Sequence, residues 1–493
     1  MHADEAIHAD RLGRLLDGGG YAYDPRDYHG PTLVYMSVVP AALSGERRYA
    51  DLDETTLRLA PAVTGMALVL VHLAAAPYVG SAGAAAGALL AAVSPAMVYY
   101  SRDYIHEVPL VFFTLGALLA AARYLQRPGS GPAAFFGACA GLMMATKETA
   151  PLALLSMLAA FAFVGGFRGR PESARPARSG RHLLLALLAG VAAAAPLFSS
   201  FFTHPAGLAD AVRAYGHYLH RGSTWSWHVH AWPYYLGLLL RFPARGTPLW
   251  TEALVLGLAV VGALAAWRRP PPVPDVRALR FFAVYTLVTL VLYSSIPYKT
   301  PWCVLSFLDG MALLGGVGAA VLLRVASSRW SRATVAALLV AGGAHLAWQA
   351  WMASFRYAAD PRNPWVYAQT SPDVFAIVSA VEDLARADPQ GRGLPIQVIS
   401  DANVWPLPWY LRRFPHVAWW TGVSETAGNA PLVLATPDME PALVRRMYEV
   451  PPPGERELYV PIFPRPMELR PGVELRGYAT YRLWEAHLSE RER

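Results

Sequence analysis

Between about residues 57 and 355 the chain is a succession of apolar runs near 20 residues long, each closed by a short polar break. An α-helix needs a run of about that length to cross about 30 Å of hydrocarbon. The pattern predicts spans at roughly 57–76, 81–99, 108–125, 133–146, 149–167, 182–202, 249–267, 280–296, 302–323 and 333–355. Ahead of them, residues 1–30 are polar and aromatic. Pro31 to Leu43 reads as an amphipathic piece too short to span, which assigns it to the membrane interface. From about 360 the pattern changes. Ser371 to Asp388 reads as an amphipathic helix, Ile396 to Ser400 as a buried strand and Pro408 to Arg413 as a short helical piece. Val417–Trp420 and Leu432–Leu434 read as strands, and Glu440–Glu449 as a helix. Strands alternating with helices predict a small α/β domain. The expected fold is a polytopic α-helical membrane protein of about 10 transmembrane helices with a C-terminal soluble α/β domain. Its expected parts are a first extracytoplasmic loop with interfacial helices (1–56), a transmembrane domain (57–355) and an extracytoplasmic α/β domain (360–493).

Composition agrees with an integral membrane protein. The chain is 54% hydrophobic and 16% charged, against about 25% charged in a typical soluble domain, and its mean hydropathy is +0.28. The net charge of +7 serves membrane topology in this reading, and no basic-aromatic stripe points to nucleic acid. Loops 77–80, 123–132, 168–181, 268–280 and 324–332 hold 14 arginines against Glu172 and Asp275. The alternate loops hold seven basic residues over a longer total length. The positive-inside rule makes the first set cytoplasmic, which puts the N-terminus, the alternate loops and the C-terminal domain outside the plasma membrane. The two cysteines, Cys139 and Cys303, are far apart in apolar segments and suggest neither a disulfide framework nor a metal site. The C-terminal region shows no phosphate-binding glycine loop, so it is assigned no catalysis.

With this topology the unusual polar clusters fall on one face. They are Asp4-Glu5, Tyr28-His29-Gly30-Pro31, the Arg102-Asp103…His106-Glu107 break, Lys147-Glu148 and Tyr298-Lys299. Ionisable residues at membrane edges are costly to bury and often functional. Each also has a plainer reading: a solvated chain start for Asp4-Glu5, a structural ion pair for Arg102-Asp103, a snorkelling pair for Lys147-Glu148. The five histidines of 203–248 (His204, His217, His220, His228, His230), set among Trp225, Trp227 and Trp232, lack clean metal spacing and read best as interface decoration. What favours chemistry is that the clusters share a side. The lysines add to it: among 42 basic residues only Lys147 and Lys299 are lysine, and both sit in those outer breaks. A lysine is a compact point charge suited to a phosphate. Outward carboxylates with outward cations at a lipid boundary suit transfer from a lipid-linked sugar phosphate, with a carboxylate deprotonating the incoming hydroxyl.

The order His-x-Asp-Glu, Tyr-His-Gly-Pro, Ser-Pro-x-x-Val-Tyr-Tyr-Ser-Arg (Ser94–Arg102) and Thr-Lys-Glu-Thr (Thr146–Thr149) resembles the GT-C superfamily of membrane glycosyltransferases. That group includes the protein O-mannosyltransferases and the lipid A aminoarabinose transferase. With Tyr-Lys-Thr-Pro-Trp (298–302) and Trp-Pro-Leu-Pro-Trp-Tyr-Leu-Arg (405–412), the chain is similar more narrowly to the bacterial and archaeal flippase-activity-associated proteins. The resemblance implies an inverting transferase that takes a sugar from a polyprenyl-phosphate donor to a glycan, lipid or protein acceptor of the cell envelope. It implies Asp4 as base with Glu5 beside it, Asp103 as the second acidic position, and Arg102, Lys147 and Lys299 as cations for the donor phosphate. His29, Tyr28, Glu107, Glu148 and Tyr298 would contact substrate. Some members use a divalent metal and others none, so a metal stays open here. GT-C proteins carry a transmembrane helix before the Asp-Glu motif, so the resemblance also predicts a natural start upstream of Met1. The alternative function is a non-catalytic flippase-associated protein that assists translocation of lipid-linked sugars. A third is a structural envelope protein whose C-terminal domain is the working part.

Overall fold

The computed structural model describes all residues except 28, 166–176, 224–227, 241, 243–244, 269–272, 425–427, 429, 453, 455 and 492–493, together with the side chains of 177–179 and 219–223. The chain forms two compact units. One comprises Arg14–Arg47 and Leu52–Tyr367, the other Met1–Gly13, Arg48–Asp51 and Ala368–Arg493.

The larger unit is helical, and each of the ten expected spans holds a helix. Among the described residues, six helical stretches are long and apolar enough to cross a membrane: Glu54–Val79, Glu107–Gln126, Gly180–Phe198, Val276–Ser295, Pro301–Val325 and Arg329–Arg356. Ser81–Val93, Ser130–Thr146, Ala150–Phe163 and Ala253–Ala265 are apolar but shorter. The second expected span is interrupted where Ser94 breaks the helix and Pro95–Tyr100 restarts it. Pro301–Val325 forms the centre, with 94% of the residues in its most apolar 18-residue window buried, whereas Gly180–Phe198 has 6% and turns its leucines outward. The central helix can be central because it is lined with small residues. A Cβ on Gly316 would stand 2.1 Å from the Gly83 carbonyl oxygen, and one on Gly318 2.0 Å from that of Leu258. Such close backbone approach supplies the packing that apolar burial cannot supply between helices surrounded by lipid.

Two readings need correction. Thr32–Leu43 is a helix as expected, but its apolar residues are not confined to one face: Leu33 and Val34 are buried while Val39 and Leu43 are exposed. The stretch 203–248, read as a loop, contains helices Gly207–Ser223 and Tyr234–Leu240. The histidine and tryptophan expectations at His220 (side chain), Trp225 and Trp227, and the connectors around 168–181 and Pro270–Pro272, lie wholly or largely outside the described residues.

The smaller unit is the α/β domain. Its strands are β1 (Ile396–Ile399), β2 (Val417–Trp420), β3 (Leu432–Ala435), β4 (Tyr459–Pro461), β5 (Met467–Arg470) and β6 (Val473–Thr480). The order is β2-β1-β3-β6-β4, with β5 paired to β6. β1, β2 and β3 run parallel, and β6 is antiparallel to β3, β4 and β5. Alternate strand residues divide the core. Ile396, Val398, Leu432 and Leu434 face Val374, Ile377 and Val381 of helix Asp373–Ala387. Ile399, Val433 and Ala435 lie with Leu443 and Met447 on the other side. Met1–Gly13 belong to this unit and hold all but the last residue of helix Ala3–Arg14, whose Ala6, Ala9, Leu12 and Gly13 form a buried stripe at helical spacing.

Candidate active site

Four of the expected residues meet in one cluster of the membrane unit. Helix Ser130–Thr146 ends at Lys147, and helix Glu107–Gln126 begins with Glu107. The Lys147 ammonium donates to the Glu107 carboxylate, and both side chains are buried. The next residue, Glu148, is also buried and accepts from His29 Nδ1 at 2.8 Å. His29 stacks on His106 with ring centroids 5.1 Å apart, and His106 Nε2 donates to the Gly30 carbonyl at 3.0 Å. The 29–32 segment is strapped to the end of helix Ser130–Thr146. Gly30 N–H donates to the Thr146 carbonyl and Thr32 Oγ1 to that of Ala145. Only glycine fits at position 30, because a Cβ there would lie 1.9 Å from the Ala145 oxygen. His106, for which the sequence suggests no role of its own beside Glu107, is thus part of the cluster.

Burial opposes the Lys147 charge, but the Glu107 and Glu148 carboxylates outweigh it and hold its pKa well above the ordinary lysine value. Burial likewise pushes the Glu148 carboxyl up, and the His29 and Lys147 charges more than reverse this and bring it below the usual carboxylate range. Tyr215 and Tyr218 of helix Gly207–Ser223 feel the Glu148 charge, and burial raises both phenols.

Arg102 and Asp103 follow the short helix Pro95–Tyr100 and are partly exposed. The Arg102 guanidinium donates to the Ser354 carbonyl and lies over the Phe355 ring at 4.5 Å. Burial and the neighbouring Arg58 charge both lower its pKa. Lys299 is buried, and its ammonium donates to the carbonyls of His230, at 3.0 Å, and Ile296, at 2.5 Å. Its backbone N–H donates to His228, and Tyr298 pairs with Val229 across an isolated bridge. Lys299 therefore fastens the 228–230 segment. Burial lowers its pKa, and burial together with the Lys299 charge lowers that of His230. Tyr298 stacks near His228 at 4.7 Å. Tyr28 lies outside the described residues.

Asp4 and Glu5 occupy the first turn of helix Ala3–Arg14 in the smaller unit and differ in setting. Glu5 is 1% exposed and accepts the His2 backbone N–H at 2.7 Å. The Asp4 side chain is 40% exposed, with His2 Nδ1 3.8 Å from its carboxylate. In the same unit the Asp4 charge acts on Arg470, countering the larger effect of burial on that guanidinium. Among the described residues no three His, Cys, Asp or Glu side chains gather as a metal ion would require.

A family model described as dolichyl-phosphate-mannose-protein mannosyltransferase matches residues 47–199. No curated protein matches in sequence. Among solved structures, ArnT from Cupriavidus metallidurans in the apo state is similar at 14% identity and a TM-score of 0.63, over 96% of this chain and 93% of that one. The same protein bound to undecaprenyl phosphate is similar at 16% identity and 0.58, with the same coverage. The Archaeoglobus fulgidus oligosaccharyltransferase tethered with an acceptor peptide is similar at 14% identity and 0.54, over 89% of this chain and 65% of that one.

Proposed function

We propose that this chain, a GT-C membrane glycosyltransferase by fold, transfers a sugar from a polyprenyl-phosphate donor to a cell-envelope acceptor on the extracytoplasmic face, with inversion. The reading rests above all on a fold shared over 96% of the chain with a protein crystallised with undecaprenyl phosphate. The match of residues 47–199 to a family that uses a lipid-phosphate sugar points the same way. In the reaction the acceptor hydroxyl oxygen forms a bond to the anomeric carbon. The bond from that carbon to the phosphate oxygen breaks, its electron pair leaves with the phosphate, and the hydroxyl proton passes to a carboxylate.

Asp4 is the better base of the adjacent pair, because its carboxylate is half open while Glu5 is committed to the His2 N–H. Asp103, partly exposed at the end of its helix, is the second acidic residue. Of the three cations, Arg102 is the best placed to meet a phosphate. Its side chain is partly exposed, with a carbonyl, an aromatic face and the Asp103 charge as partners, whereas Lys147 is buried against Glu107 and Lys299 is buried on two carbonyls. His29, Glu107, Glu148 and Tyr298 then shape the rim of the donor site. The C-terminal domain stands outside the plasma membrane in this reading, which the arginine-rich loops on the opposite, cytoplasmic side support. The partners are membrane lipid, the lipid-linked donor and a glycan, lipid or protein acceptor.

The test is transfer in proteoliposomes from a panel of radiolabelled polyprenyl-phosphate sugars to total envelope extract, by the parent chain and by Asp4→Asn. The expected result is label moved by the parent and not by Asp4→Asn, with donor binding retained in both. Transfer at parental rate by Asp4→Asn would remove Asp4 as base. No transfer from any donor, with labelled donor crossing the bilayer, would replace the enzyme with a translocation factor.

A further inference from the structure

Glu252 is fully buried, at 0% exposure, just before helix Ala253–Ala265. A carboxylate in such a place costs several kcal/mol unless it is well partnered. One of its oxygens is. Oε1 accepts from Ser94 Oγ at 2.7 Å and from the Ala96 N–H at 3.1 Å. These are the groups that start helix Pro95–Tyr100. Ser94 is its N-cap and takes the Met97 N–H at 3.3 Å. Pro95 has no N–H, and the Ala96 N–H is one of the donors a helix start leaves open. Glu252 therefore completes the beginning of a six-residue helix from a point 156 residues away in sequence.

The base from which it reaches is fixed. Glu252 N–H donates to the Leu239 carbonyl at 2.7 Å. The preceding residue, Thr251, is clamped by Gln349, which accepts the Thr251 N–H at 2.7 Å and donates to its carbonyl at 3.2 Å. The far end of the short helix is fixed as well. Tyr99 hydroxyl donates to the Ala358 carbonyl at 2.7 Å and Tyr100 hydroxyl to that of Trp365 at 2.8 Å. Ser101 follows, and then Arg102 and Asp103, so both come directly after a strut braced at both ends.

We propose that Glu252 is a positioning residue for Asp103, acting through helix Pro95–Tyr100; Arg102 has its own anchors in the Ser354 carbonyl and the Phe355 ring. The inference rests on the reading of Asp103 as part of the transfer site. It assigns the buried carboxylate a role at the chemistry that contact with substrate does not require. A small misplacement of a reacting group can cost up to about 10²-fold in rate, so loss of the brace should appear in kcat and leave KM for the donor nearly unchanged.

Two measurements on the full chain in proteoliposomes test this. The first is kcat and KM for Glu252→Leu and Glu252→Gln. The second is the maleimide labelling rate of a thiol introduced by Asp103→Cys, in each background, after subtracting labelling of the chain without that substitution. Glu252→Leu should lower kcat about tenfold or more with KM within about twofold. It should also speed labelling about fivefold as the strut frays. Glu252→Gln keeps an acceptor oxygen at the same place and should stay within about twofold of the parent in both. An unchanged labelling rate in Glu252→Leu overturns the proposal, as does a raised rate with unchanged kcat. If Glu252→Leu does not fold, Glu252→Asp, whose carboxylate falls one methylene short of Ser94 and Ala96, is judged by the same two outcomes. Parental turnover in Asp103→Asn would take Asp103 out of the reaction, a failure of the functional reading that the labelling ratio does not share.

Discussion

Lys147→Met would leave the buried Glu107 carboxylate without the ammonium that neutralises it. Both side chains are 6% exposed, and Glu148, 8% exposed, adds a second carboxylate to the same ammonium. Glu148 would keep His29 at 2.8 Å, so the main loss falls on Glu107. Removing one partner of a buried pair costs about 3–5 kcal/mol, mostly the penalty of the charge left behind. Replacing both partners removes that penalty. Lys147→Met with Glu107→Gln should therefore be more stable than Lys147→Met alone, with a coupling energy of about 3 kcal/mol, at the top of the range for residues in contact. The assay is a double-mutant cycle on reversible SDS unfolding of the protein in mixed micelles. Near-additivity, within about 0.5 kcal/mol, would refute the reasoning. Lys147 would then be held by something other than Glu107, and its availability to a phosphate would have to be reconsidered.

The pH dependence of the same cluster follows from Glu148, whose carboxyl is brought below the usual range in the folded protein. Its stabilisation is complete above the unfolded value of about 4.3 and is lost as pH falls through the folded value. Glu148→Gln should thus be less stable than the parent at pH 7, and the gap in melting temperature should close as pH falls from 5.5 to 3; a gap that widens contradicts the sign. Gly316→Ala places a methyl 2.1 Å from the Gly83 oxygen, so the helices must part, at about 1–3 kcal/mol, read as a lower melting temperature in detergent. Gly30→Ala should cost at least as much, since its Cβ would meet the Ala145 oxygen at 1.9 Å and displace His29 from Glu148. A Gly30→Ala protein with parental stability would show that the strap is not tight.

The elements legible in the sequence were those whose signal is local. Apolar runs marked the ten helices, and β1, β2, β3 and helix Asp373–Ala387 stood out by period and flanking turns. The elements that were missed carry weaker local signals. Helix Ala3–Arg14 shows its stripe through Ala6 and Ala9, which are small enough to look polar-neutral beside two acids and two histidines. Helix Gly207–Ser223 is rich in histidine and tyrosine, which reads as interface decoration. The β5–β6 hairpin turns at Pro471-Gly472, with Gly472 at φ +79, a readable turn signal between strands of mixed polarity.

The candidate site was legible as a set of residues and illegible as a set of partnerships, and the reason is physical. Hydrophobic patterning places a residue at a helix end, so Glu107, Lys147 and Glu148 could each be assigned to the membrane edge. Which charge neutralises which is settled by contacts over 40 residues for Lys147 and Glu107 and 119 for His29 and Glu148. The His29–Glu148 contact also depends on the close backbone approach that Gly30 permits. The two lysines make the point together. The sequence distinguishes both from the arginines around them, yet one is neutralised by a carboxylate and the other is turned onto backbone carbonyls. Scarcity of lysine marked two positions where, in each, the folded chain itself supplies the partner, and for that reason the proposed donor site turns on Arg102.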